Sequence, residues 1–111
     1  MFEKDVKEIS LLLDFYGELL SERKQSVLAL YYNEDFSLAE IAEEIGISRQ
    51  GARDLIKKAE EELRHLEEKL GLVARFEQAR HHIANIRHLG EQTKMSPELL
   101  CEIEALAKLF E

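Results

Sequence analysis

The sequence has little of what covalent, membrane or nucleotide chemistry requires. It holds one cysteine, Cys101, so an internal disulfide is excluded and a reducing compartment fits. It holds one proline, Pro97, which leaves long helices uninterrupted. No apolar run approaches the roughly 18 residues of a membrane span; residues 9–16 are too few, and Asp14 interrupts them. The first ten residues, MFEKDVKEIS, mix acids and bases and lack the basic-then-apolar order of a signal segment. No membrane association and a cytoplasmic location are therefore expected. A glycine-rich phosphate loop with its lysine is missing, since Gly46, Ile47 and Gly51 do not make one. No β alternation, repeat or low-complexity segment is found.

What is present is charge and helical periodicity. The 111 residues suit one compact domain, or a small domain with an appendage. Charged residues are 34% of the chain and the formal net charge is −8, which opposes a simple nucleic-acid reading. The charge is unevenly placed. Residues 1–35 carry 8 acids and 4 bases, residues 36–70 carry 9 and 6, and residues 71–111 carry 6 and 5. Within 48–59, Arg49, Arg53, Lys57 and Lys58 face only Asp54, which makes this the one locally basic element.

Apolar spacing predicts a helix over about Glu3 to Leu20, with Val6, Ile9, Leu12, Leu13, Tyr16, Leu19 and Leu20 in one stripe. Ser21 can cap a second helix to about Tyr32, with Val27, Leu28, Tyr31 and Leu30 inward. Asn33-Glu34-Asp35 is a polar break. Ser37 and Glu40 have capping-box spacing, and Phe36 and Ile41 can staple the same turn. Leu38, Ile41, Ala42 and Ile45 face the core of this third helix. Gly46 stands where a left-handed residue would end it, Ile47 plugs the turn, and Ser48 caps the next helix. That helix keeps a seam of Ala52, Leu55, Ile56, Ala59, Leu63, Leu66 and Leu70, with Glu60, Glu61, Glu62, Glu67 and Glu68 expected on its exposed side. Gly71 either ends or kinks it. Phe76, Ala79, Ile83 and Ile86 define a face over residues 72–89, residues 90–94 form a loop, and Ser96-Pro97 opens a last helix to about Phe110.

The unit from Phe36 to Lys58 is the pattern of a helix-turn-helix. Its second helix can enter the major groove with N-terminal side chains on base edges. Arg49, Arg53 and Lys57 recur at i, i+4 and i+8, one stripe of a helix. Arg can hold guanine bidentately and Gln50 can hold adenine, while Ser48 and the later lysines suit phosphates. Ser48, Arg49, Gln50, Arg53, Lys57 and Lys58 are thus the candidate nucleic-acid-binding residues. A solvated face paired with neighbouring acids is the competing reading for each. His65, His81, His82 and His88 lack the convergent spacing of a metal site, and the acids of 43–44 and 60–62 look like solvated helix faces. No catalytic residue, cofactor or metal is expected.

The stretch LAEIAEEIGISRQGARDLIKKAEEEL resembles region 4 of bacterial sigma factors. Gly46, Ser48, Arg49, Arg53, Ala59 and Leu63 stand at that pattern's turn glycine, cap, recognition and trailing core positions. A wider likeness covers about Ile9 to Phe76. LLLDFYG, LYYNED and SLAEIAEEIGISRQ occur together and in order, as in the YlxM family of small bacterial helix-turn-helix proteins. Ala52 and Arg53 depart from that family's usual bulky aliphatic and tyrosine. The tail after about Glu77 lies outside the likeness and reads as lineage-specific.

The resemblance implies an all-α fold: a sigma-region-4-like helix-turn-helix core of three or four helices, with additional C-terminal helices. It implies double-stranded DNA as a partner, homodimers, and a link to the signal recognition particle pathway that rests on gene neighbourhood. It brings no enzymatic activity. The expected division is a helix-turn-helix domain over 1–70 and a helical extension over 71–111 serving dimerisation or partner binding. The acidic total favours a second reading, a protein- or RNA-binding accessory of the signal recognition particle without DNA readout.

Overall fold

The computed structural model describes residues 4–111, and among them are six α-helices and no strand. They are α1 (Val6–Tyr16), α2 (Glu22–Leu28), α3 (Leu38–Ile45), α4 (Arg49–Leu70), α5 (Leu72–Glu91) and α6 (Pro97–Lys108). The all-α expectation holds. The chain forms two compact units that part after Gly71.

In the first unit, α1 starts at Asp5, whose side chain accepts the Glu8 N–H at 3.1 Å. The expected start at Glu3 lies outside the described residues. Ile9, Leu12 and Tyr16 are buried, but Val6 and Leu19 are 50% and 62% exposed. Leu19 leaves the stripe because Gly17–Leu19 is a 3₁₀ turn, whose three-residue period breaks the phase of the helix before it. Ser21 caps α2 through the Lys24 N–H. The second helix is shorter than the pattern predicts: it ends at Leu28 and passes into a π turn over Ala29–Asn33.

That turn changes which tyrosine is buried. With i→i+5 bonding, as from Glu34 N–H to the Ala29 carbonyl at 3.0 Å, the residue five after Val27 lies over it. Tyr32 therefore goes inside and Tyr31 is left half-buried, the reverse of the expectation. Asp35 adopts φ 57 at the following break.

The capping box of α3 is complete. Ser37 Oγ accepts the Glu40 N–H at 3.1 Å, and the Glu40 carboxylate accepts the Ser37 N–H at 3.0 Å. These bonds hold the Glu40 carboxyl below its ordinary value. Buried Val27, Leu28, Ile41, Ala52, Ile56, Ala59 and Leu63 fill the space among α2, α3 and α4, with Ile9, Leu12 and Tyr16 of α1 against α4. Ala52, at the departure from the family pattern, is fully buried. Leu70, expected in the seam, is 45% exposed at the last turn of α4.

Gly71 ends α4: it is left-handed, φ 63, and its N–H bonds the Glu67 carbonyl at 2.8 Å. Residues 49–89 are thus two helices. The second unit is a pair, α5 and α6. α5 runs on to Glu91, into the expected loop, and Ser96 caps α6 through the Leu99 N–H with Pro97 in its first turn. Val73, Ile83, Ile103 and Ala107 are buried, and Phe76 meets Phe110 at 5.2 Å between ring centroids. Ile86, expected on the shared face of α5, is 39% exposed, and Leu99, Leu100 and Leu106 of α6 are 42–50% exposed. Among the described residues no helix is long and apolar enough to cross a membrane.

Candidate nucleic-acid interface

The turn between α3 and α4 aims the candidate residues. Gly46 takes φ 74, ψ 39, a left-handed conformation that costs glycine no Cβ clash. The Ile47 N–H bonds back to the Ala42 carbonyl at 3.0 Å, closing the Schellman-type end of α3. One residue later Ser48 caps α4, its Oγ accepting the Gly51 N–H at 2.9 Å. A Cβ at Gly51 would stand 3.1 Å from Ser48 Oγ, so a larger residue there would press on the cap hydroxyl.

Burial of Ala52, Ile56 and Ala59 fixes how α4 is rotated. At 100° per residue, Gln50, Asp54 and Lys57 then point away from the core, with Arg49 and Arg53 on one flank and Lys58 on the other. Arg49, Gln50, Lys57 and Lys58 are exposed, and Arg53 is half-buried. Arg49 to Lys57 spans about 12 Å of helix axis. The six predicted residues thus share the first three turns of one helix. The hydroxyl of Ser48 is already engaged as an acceptor, which leaves its proton to donate.

Sequence reasoning missed the part played by Asp54. Gln50 Nε2 donates to its Oδ1 at 2.9 Å, so an acid lies within the basic stripe and holds the glutamine amide. The i, i+4 spacing carries that signal. A carboxylate here can accept from the cytosine amino group.

The rest of α4 is only in part the solvated acidic face expected of it: Glu61 and Glu68 are exposed, but Glu60, Glu62 and Glu67 are not. Glu60 is 5% exposed and accepts a short hydrogen bond from Tyr32 Oη. Glu67 accepts from Tyr16 Oη at 2.5 Å, and Glu62 pairs with Lys24 Nζ at 2.7 Å. Arg64 Nε reaches Glu8 at 2.8 Å. Burial raises the Glu60 carboxyl above its ordinary 4.5, with the Tyr32 hydrogen bond and Arg64 acting against that rise. Burial, and then the bond to Glu60, raise the Tyr32 phenol. Among the described residues, no group of three His, Cys, Asp or Glu side chains could hold a metal ion.

A sequence model of the family described as "Putative helix-turn-helix protein, YlxM / p13 like" matches residues 3–103. The UPF0122 protein of Desulforamulus reducens is 42% identical over 107 residues, 95% of this chain and 92% of its own length. The UPF0122 protein YlxM of Bacillus subtilis is 43% identical over 98 residues, 88% and 89% of the two chains. A Thermoanaerobacter relative is 38% identical over 112 residues. The likeness therefore extends well past Phe76, and the tail expected to be lineage-specific is shared at least as far as residue 103.

Proposed function

The chain belongs to the YlxM / p13-like helix-turn-helix family, and we propose from that premise that it is a DNA-binding regulatory protein. It acts as a homodimer in the cytoplasm, without catalysis. α4 enters the major groove, with Arg49, Gln50 and Arg53 at base edges and Ser48, Lys57 and Lys58 at phosphates. The supporting observation is the capped α3–turn–α4 unit, whose left-handed Gly46 and buried Ala52–Ile56–Ala59 seam leave Arg49, Gln50, Lys57 and Lys58 in water.

The net charge of −8 and exposed Glu43 and Glu44 on α3 favour a second reading. In it the unit is a protein- or RNA-binding accessory of the signal recognition particle. Selection of host genomic duplexes at about 100 mM salt, where phosphate contacts still count, separates the two. Enrichment of a discrete site supports DNA readout. No enrichment over background overturns it, and retention of the particle's protein or RNA on the immobilised chain then supports the accessory.

A further inference from the structure

Asp54 sits where a phosphate-binding stripe has no use for an acid. It points away from the core between Gln50 and Lys57, with Arg49 and Arg53 on one flank and Lys58 on the other. Gln50 and Asp54 are both exposed, and Gln50 Nε2 donates to Asp54 Oδ1 at 2.9 Å. A carboxylate in this place repels phosphate oxygens and the groove edge of guanine, all of which only accept. It favours a donor, and in the major groove the donors are the amino groups of adenine and cytosine.

The bond also fixes the glutamine. An ionised carboxylate is acceptor-only, so the amide meets it with its nitrogen and not with its oxygen. Gln50 Oε1 is then turned from Asp54 as an acceptor, and the second N–H remains to donate. One acceptor beside one donor is the complement of adenine N6–H and N7. A glutamine with both N–H groups to give can serve guanine O6 and N7 together; one held by Asp54 has a single N–H left for them.

We propose that Asp54 is the positioning residue that commits Gln50 to adenine and keeps guanine out of that register. The proposal deepens the DNA-binding reading and rests on it. About 6 Å of helix axis separates the two residues, under two base steps of about 3.4 Å. The second carboxylate oxygen of Asp54 thus accepts from the amino group of an adenine or cytosine next along the groove. The same acid weakens the attraction of the stripe for DNA of any sequence and raises the contrast between sequences. Holding the amide before binding also spares the rotamer freedom that a loose glutamine would lose in the complex.

The test uses the full chain and the duplex that the wild type selects, with each base pair varied in turn. Wild type should prefer adenine to guanine at one position by at least about tenfold. Asp54→Asn keeps the size of the side chain but can meet either end of the amide. It should bring that preference within about threefold although Gln50 is still present. It should also bind random duplex about threefold more tightly, because a negative charge has left the stripe. Gln50→Ala should lose the same preference at the same position, and the double variant should lose no more than either alone, since one side chain acts through the other. Thermal melts should match wild type, both residues being exposed. A preference that survives Asp54→Asn, a loss at a position that Gln50→Ala leaves intact, or a loss shared equally by every duplex would overturn the positioning role and leave DNA readout standing. Should the wild type select no duplex, the DNA-binding reading falls and takes the role of Asp54 with it.

Discussion

The two halves of α4 carry similar densities of charge and use it in opposite ways. From Arg49 to Lys58 the charged side chains occupy the flanks and the outward side of the helix, with Arg53 half-buried and Gln50 tied locally to Asp54. From Ala59 to Leu70 the charges reach across the unit, Glu60 to Tyr32, Glu62 to Lys24, Arg64 to Glu8 and Glu67 to Tyr16. One half is docked by Ala52 and Ile56 and keeps Arg49, Gln50, Lys57 and Lys58 in water; the other is bolted to α1, α2 and the π turn. A helix held by its far end presents its near end at a fixed angle, which a groove-reading helix requires.

Substitution in the near half should therefore cost binding and little else. Replacing Arg49 and Lys57 together with alanine should weaken a specific duplex by roughly 2–4 kcal/mol and flatten the slope of log affinity against log salt by about one. The melting temperature should hold, because both side chains are exposed. Gel shifts over a salt series, beside thermal melts, check this. A melt that falls as far as the affinity would erase the distinction between the halves.

The far half should answer in the other direction. Tyr32→Phe removes the donor from a carboxylate that is 5% exposed, so about 1–3 kcal/mol of stability should be lost. Duplex affinity of the folded fraction should stay within a factor of about two or three. Urea unfolding at neutral pH and titration of folded protein measure the two quantities separately.

Local patterns made the near half legible in the sequence. The capping box, the turn glycine, the Ser48 cap and the inward seam each depend on residues within four or five positions, and the structure places each as read. In the far half the acids cannot be placed from their own helix alone. Glu60 looks solvated on a helical wheel, and only a tyrosine 28 residues earlier, turned inward by a π turn, makes it internal. Nothing local announces that turn. Ile86 stays exposed for a related reason: apolar periodicity marks a face that wants cover without saying which element supplies it.

Protonation sharpens the contrast further. The folded Glu60 carboxyl lies above its ordinary value, so its contribution to stability is full below about pH 4.5 and is lost as pH rises through the folded value. Glu60→Gln keeps an acceptor for Tyr32 and does not titrate. The stability of the variant relative to wild type should thus be least near pH 4 and should grow toward neutrality, then level off. Urea midpoints from pH 4 to 8 for both chains give this difference directly, and a flat difference would mean that burial does not penalise the Glu60 charge. The raised Tyr32 phenol predicts a further loss in strong alkali, since its contribution is full below about pH 10 and fails as pH climbs through the folded value.

The smallest effect concerns the outermost bolt. Lys24 and Glu62 meet at 2.7 Å, yet their side chains are 30% and 38% exposed. A pair so wetted is screened by water and salt, and holding two long side chains in register costs rotamer freedom. Lys24→Ala should therefore lower stability by no more than about 0.5 kcal/mol, and less at high salt. A double-mutant cycle with Glu62→Ala isolates the coupling. If it matched the loss from Tyr32→Phe, the far half would be held by its rim rather than by its interior, and the placement of α4 would depend on ionic strength. A coupling of a few tenths leaves the buried tyrosine–carboxylate contact as the bolt that sets the angle of the basic stripe.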